Sequence, residues 1–139
     1  MTNKEHNILV VDDDSNFLFL LIGIITNKLD KDYVLFTSSD GTDALIKAGK
    51  NNIDLIVSDT YMPRMNGYEL FQKIREKEYF DNIRFIAMSS DAELIKKIWN
   101  KEYGKSSEKY GERGIDAFID KYDDIPDRLI ELIKNLTCQ

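Results

Sequence analysis

Short β-branched runs alternate along this chain with stretches that repeat apolar residues at helical spacing. Ile8-Leu9-Val10-Val11 has the pattern of a buried strand and stops at Asp12, Asp13 and Asp14. Ser15 to about Lys28 predicts a helix, with Asp14 or Ser15 as its N-cap. Tyr33 to Phe36 predicts a second strand, and Asp40 to about Ala48 a second helix with Ala44, Leu45 and Ala48 on one face. Ile53 to Val57 predicts a third strand, ending at Ser58-Asp59, and a loop from Thr60 to Asn66 leads into a helix over Gly67 to Glu76. A fourth strand, Ile83 to Met88, and a fourth helix, Ala92 to about Tyr103, follow. Leu94, Ile95, Ile98 and Trp99 should bury one face of that helix. Ile115 to Ile119 predicts a fifth strand, and Pro126 opens a last helix running to about Leu136. Strand and helix thus alternate five times, which implies a parallel sheet covered on both faces. Lys101 to Gly114, with three glycines, two serines and many charges, is the one stretch expected to be loose.

Composition bounds the answer. The 139 residues fit a single domain, 1–139, and 42% hydrophobic with 32% charged residues suits a packed core under a solvated surface. Nineteen basic against 25 acidic residues leave a net charge of -6, which argues against direct nucleic-acid binding. One cysteine, Cys138, and one histidine, His6, make a zinc site implausible. His6 precedes the first strand and reads as a residue of a solvated tail. The longest apolar run, Phe17 to Ile25, is broken by Gly23 and is too short to span a bilayer, and Met1 to His6 lacks the apolar stretch of a signal peptide. The expectation is a cytoplasmic protein without a membrane partner.

The sharpest signal is where the acids fall. Asp12 and Asp13 end the first strand and Asp59 ends the third. In a parallel sheet these carboxyl ends share one edge, where ligands of such folds bind. Three carboxylates there repel one another unless a hard divalent cation offsets them; Mg²⁺, or Mn²⁺, prefers such oxygen ligands. Taken alone, Asp12 to Asp14 are ordinary strand-end and capping residues; Asp59 in register with them favours a site. Ser89 after the fourth strand and Lys121 after the fifth add a hydroxyl and an ammonium to the same edge. Carboxylates, a cation, a hydroxyl and a lysine can together hold a phosphoryl group.

The order Ile8-Leu9-Val10-Val11-Asp12-Asp13, then Asp59-Thr60-Tyr61-Met62-Pro63-Arg64-Met65-Asn66-Gly67, then Ser89, then Lys121 resembles the receiver domain of two-component response regulators. Ser38-Ser39-Asp40-Gly41 with Ala44-Leu45 resembles the family's second strand-to-helix passage. The resemblance covers nearly the whole chain. It implies a flavodoxin-like, doubly wound α/β fold: a five-stranded parallel sheet in the order 2-1-3-4-5 with five helices. It further implies Asp59 as phosphoacceptor, Asp13 as a direct Mg²⁺ ligand with Asp12 assisting through water, and the Tyr61 backbone carbonyl completing the protein's share of the coordination. Ser89 would hydrogen-bond the phosphoryl group and Lys121 would pair with one of its oxygens. The donor implied is a phosphohistidine on a histidine kinase or histidine phosphotransfer protein, and the output partner is unspecified. Such a domain catalyses its own phosphorylation and dephosphorylation without being a turnover enzyme. The alternative is a pseudo-receiver, an interaction scaffold without phosphotransfer. An aspartyl phosphatase of the haloacid-dehalogenase type needs a second Asp two residues after the nucleophile, where this chain has Tyr61.

Departures from the family carry expectations of their own. The usual Lys-Pro is Lys121-Tyr122, which predicts a trans peptide. Phe118 stands at the aromatic switch position, usually Tyr, and has no hydroxyl to bond with. Tyr61 and Asp91, two residues beyond Asp59 and Ser89, are candidates to modulate the lifetime of the acyl phosphate. Ser89 and Lys121 are 32 residues apart, about ten more than usual, and the surplus falls mostly in Lys101 to Gly114. A surface loop and an altered partner-binding face are both open for that segment. The first helix carries two apolar stripes, Phe17/Leu20/Leu21/Ile24 and Leu18/Ile22/Ile25/Leu29. One should cover the sheet; the other either docks a kinase or packs on the last helix through Leu129, Leu132 and Ile133.

Overall fold

The computed structural model describes residues 4–138. Ten elements alternate: β1 (His6–Val11), α1 (Ser15–Lys28), β2 (Tyr33–Ser38), α2 (Gly41–Lys50), β3 (Leu55–Asp59), α3 (Gly67–Arg75), β4 (Arg84–Ser89), α4 (Ala92–Ile98), β5 (Ala117–Asp120) and α5 (Asp127–Thr137). All strand pairs are parallel, in the order β2-β1-β3-β4-β5. Successive strand residues face opposite sides, and here both sides are covered, which is why the strands read as unbroken apolar runs. Leu9, Val11, Ile56, Phe85 and Ala87 pack with Ala44, Leu70, Phe71, Ile74 and Ile95 from α2, α3 and α4. Ile8, Val10, Leu55, Val57, Ile86 and Met88 face the other way, onto Leu21 and Ile25 of α1 and Leu129, Ile130 and Ile133 of α5. No helix among the described residues is long and apolar enough to cross a membrane.

The caps lie where short polar side chains predict them. Asp14 accepts from the N–H groups of Asn16 and Phe17 at 3.0 and 3.3 Å, and Asp40 from Asp43 at 2.8 Å. Asn66 and Glu69 form a reciprocal capping box on α3. Each such cap contributes about 1 kcal/mol.

Several boundaries and faces differ from the sequence pattern. β1 begins at His6, whose ring lies 4.9 Å from that of Tyr33 on the neighbouring strand, so this residue is part of the sheet and not of a tail. β3, β4 and β5 start one or two residues later than the apolar runs that flag them. Neither proposed stripe of α1 is buried as a unit: Leu21 and Ile25, one from each, point inward with Leu29 just beyond the helix, while Phe19 and Leu20 are exposed. Leu18, Ile24 and Leu132 pack at the margin of the same core, so part of the second stripe does meet the α5 side. Pro126 stands at the N-cap position of α5 and not inside its first turn.

The largest departure follows α4. That helix ends at Ile98, continues as one π turn over Trp99–Tyr103, and leaves Leu94 exposed while Ile95 and Trp99 are buried. The stretch expected to be loose is packed. Phe71 of α3 meets Trp99, Tyr103 and Tyr110 with centroids at 6.0, 5.9 and 5.0 Å. Gly114 lies against the backbone of Gly104, so close that a Cβ on Gly114 would fall 2.3 Å from the Gly104 carbonyl carbon. Beneath this cap Arg75 is buried, donating to the carbonyls of Arg113, Phe80 and Ile83 at 2.7, 3.3 and 2.8 Å. Glycines allow the close crossing and tyrosines supply apolar area, which a count of charges along the segment conceals.

Candidate functional site

The strand register assembles the acidic cluster. Val11 lies opposite Ser58, so Asp12 and Asp59 leave adjacent strands side by side. Oxygens of Asp12, Asp13 and Asp59 all lie within 4.8 Å of one another. Asp12 is fully buried and Asp13 exposed. The ammonium of Lys121, at the end of β5, reaches across to the buried Asp12 and the half-buried Asp59: 2.7 Å from Asp12 Oδ2 and 3.2 Å from Asp59 Oδ1. Asp12 Oδ1 accepts from the Asp14 N–H, and Asp59 Oδ1 from the Thr60 N–H, each at 2.9 Å.

The charges perturb one another as their burial requires. Removal from water, then the field of Asp12, pushes the Asp59 carboxyl up to about 6, with Lys121 and the Thr60 N–H opposing. Burial also raises Asp12, against the pull of Lys121. Burial disfavours the charge on Lys121, but its hydrogen bond to Asp12 and the fields of both carboxylates exceed that effect and hold the ammonium above its ordinary pKa. Among the described residues, Lys121 is the one cation in direct contact with this cluster, through Asp12 and Asp59. The donor set is all oxygen and carries excess negative charge, which fits a hard divalent cation.

The remaining sequence candidates divide. Ser89 is buried at the end of β4; its hydroxyl accepts from the Asp91 N–H at 3.1 Å and its carbonyl from the Lys121 N–H at 3.1 Å. That bond ties the serine edge to the lysine edge. The Lys121–Tyr122 peptide is trans, as a residue pair without proline predicts; the cis bond falls at Ile125–Pro126. Tyr61 is exposed, its ring edge-on to Tyr68 at 6.0 Å, and Asp91 is exposed as well. Phe118 is buried in the core shared with α3 and α4, and acts there as a packing aromatic.

The Asp-x-x-Met-Pro-x-Met-x-Gly segment also has a steric explanation. A Cβ on Gly67 would fall 2.3 Å from the carbonyl oxygen of Asp59, and the Gly67 N–H donates to the Thr60 carbonyl at 2.6 Å. Only glycine lets α3 start this close to the strand end. Arg64 adopts φ +66° and hydrogen-bonds Asp40 through Nε at 3.0 Å, while the Gly41 N–H donates to the Met65 carbonyl. The loop after Asp59 is thereby tied to the start of α2.

Sequence patterns missed two participants. Thr60, fully buried, donates its hydroxyl to the Met88 carbonyl at 2.9 Å and accepts from the Trp99 indole N–H at 2.9 Å. Phe17 in the first turn of α1 lies with its ring centroid 4.4 Å from Lys121 Nζ. Its place four residues beyond Asp13 is the only hint, and apolar periodicity had already assigned it to packing.

Known proteins agree with this geometry. The response regulator receiver domain profile matches residues 8–133. Hybrid signal transduction histidine kinase D of Dictyostelium discoideum is 35% identical over 86 residues, 62% of this chain and 5% of that protein. Sensor histidine kinase RcsC of Escherichia coli K12 is 42% identical over 74 residues, 53% of this chain and 8% of that protein. The chain therefore spans only a small part of either relative. Response regulator protein TrrA of Thermotoga maritima, solved in complex with Mg(2+)-BeF, is 28% identical, with a TM-score of 0.69 over 94% of this chain and 98% of that one. With its parallel 2-1-3-4-5 sheet and its acidic edge matched to a profile over most of its length, the chain belongs to the response regulator receiver domains, the signalling modules that work with histidine kinases and phosphotransfer proteins.

Proposed function

We propose that the domain accepts a phosphoryl group on Asp59 from a phosphohistidine of a partner kinase or phosphotransfer protein, and that this changes its binding to an output partner. The observation that carries the reading is Lys121 Nζ held between Asp12 and Asp59 at 2.7 and 3.2 Å, with Asp13 beside them. An Asp59 oxygen attacks phosphorus in line with the phosphorus–nitrogen bond. That bond breaks, and its electron pair leaves on the imidazole. Bound at Asp12, Asp13, Asp59 and the Tyr61 carbonyl, Mg²⁺ would neutralise the carboxylates and the phosphoryl oxygens. Lys121 supplies a positive charge to one equatorial oxygen and Ser89 a hydroxyl to another. Water later attacks the phosphorus, releasing inorganic phosphate and restoring the carboxylate. Tyr61 and Asp91, exposed two residues beyond Asp59 and Ser89, are the residues this reading assigns to modulating that step. The burial that raises the Asp59 pKa disfavours the ionised nucleophile, and the cation charges offset it.

Incubation with acetyl phosphate and Mg²⁺, followed by intact-protein mass spectrometry, tests this. One phosphoryl group should appear on the wild type and none on Asp59→Asn. A wild type that gains nothing, while binding its kinase normally, would establish a pseudo-receiver instead.

A further inference from the structure

We infer that Phe17 is a positioning residue for Lys121, holding its ammonium in the site through the face of the aromatic ring; this rests on the phosphotransfer reading above. Lys121 is nearly buried, with its side chain 10% exposed, and two carboxylates contact its Nζ. The Phe17 ring provides a third contact, 4.4 Å from Nζ to centroid. An aromatic face attracts a cation through its quadrupole and offers no lone pair. It therefore restrains the ammonium without occupying a hydrogen bond that a phosphoryl oxygen could take.

The ring's contribution matters most when the carboxylates change partners. In phosphotransfer Asp59 becomes an acyl phosphate, and Asp12 would share its charge with a bound cation, so both of the ion pairs that now hold Lys121 would weaken. The Phe17 contact does not depend on the charge state of either acid. Phe17 is itself fixed: its N–H donates to the capping carboxylate of Asp14 at 3.3 Å, and its side chain packs at the edge of the α1–α5 core. The turn that begins at the metal-binding acids thus also sets the position of the lysine four strands away in sequence.

Phe17→Leu keeps apolar bulk and removes the ring. Phosphorylation by acetyl phosphate should slow about three- to tenfold, the range of a partly desolvated cation–π contact, and Phe17→Tyr and Phe17→Trp should restore it. In a Lys121→Met background Phe17→Leu should have no further effect, because the residue through which it acts is gone; a packing role would persist there. Independently of phosphotransfer, the Lys121 ε-methylene protons should show an upfield ring-current shift by NMR that Phe17→Leu abolishes. Equal phosphorylation rates of wild type and Phe17→Leu, or an equal loss in both lysine backgrounds, would overturn the proposal while leaving phosphotransfer intact. A wild type that shows the ring-current shift but takes no phosphoryl group would refute phosphotransfer, and the positioning role with it.

Discussion

Asp59→Asn should make the Mg²⁺-free protein more stable at neutral pH. The Asp59 carboxyl is raised from 3.8 to about 6 by burial and by Asp12. At about 1.36 kcal/mol per pKa unit, its ionisation costs the folded state roughly 3 kcal/mol relative to the unfolded chain. The side chain is 14% exposed, so little of this is screened, but part of it is shared with Asp12. A raised folded pKa means that the folded state holds the proton more tightly. Stability from this group is full below pH 3.8, is lost as the pH rises through about 6, and is flat above. Asparagine removes the charge and leaves Lys121 its 2.7 Å partner, Asp12. We expect a gain of about 1–3 kcal/mol at pH 7, or roughly 3 °C in melting temperature per kcal/mol for a chain of this size. Urea unfolding in EDTA between pH 3.5 and 7.5 measures it. The gap between variant and wild type should open between pH 4 and 6 and shrink again when Mg²⁺ saturates the wild type. A variant no more stable than wild type at pH 7, or a gap that does not vary with pH, would refute the electrostatic account.

Three other variants probe the frame and the mouth of the site. Gly67→Ala brings a methyl onto the Asp59 carbonyl and should cost about 1–3 kcal/mol in thermal unfolding, with slower phosphorylation because the shift displaces Asp59. Arg75→Met should lose about 2–4 kcal/mol in chemical denaturation, since the carbonyls of Arg113, Phe80 and Ile83 each lose a charged donor, the last two of them in buried bonds. Tyr61→Ala removes the exposed ring two residues beyond Asp59 and, on the proposed phosphotransfer, should alter the rate of acyl-phosphate hydrolysis severalfold, about 1 kcal/mol of barrier, measured as phosphate release after donor removal. An unchanged release rate would remove Tyr61 from that step.

The parts of the site legible in sequence are those that depend on strand ends. Asp12, Asp13, Asp59, Ser89 and Lys121 stand within two residues of the ends of apolar runs, and parallel pairing brings the ends of such runs to one edge whatever the side chains elsewhere do. Contacts made across elements left no such trace. Arg75 stands at the charged end of α3, where helical periodicity predicts a solvated side chain, yet the segment after α4 folds over it. His6 looks like tail because its partner, Tyr33, lies on another strand. Phe17 satisfies an apolar stripe, so nothing local distinguishes a ring that packs from a ring that faces an ammonium.

Residues 101–114 belong to the frame of the site for a reason that runs through Thr60. The backbone of this residue follows Asp59 directly; its N–H donates to the Asp59 carboxylate and its carbonyl accepts from Gly67. Its hydroxyl donates to the end of β4 and accepts from Trp99. Trp99 is held in turn by the rings of Phe71, Phe85 and Tyr103, and Tyr103 and Tyr110 enter that cluster only because the π turn and the Gly104–Gly114 crossing bring them back over α3. A short, solvated connection in place of residues 101–114 would uncover Trp99 and Phe71 and loosen the indole that anchors Thr60. The segment that charge counting marks as surface loop is therefore one of the supports that fix where Asp59 stands.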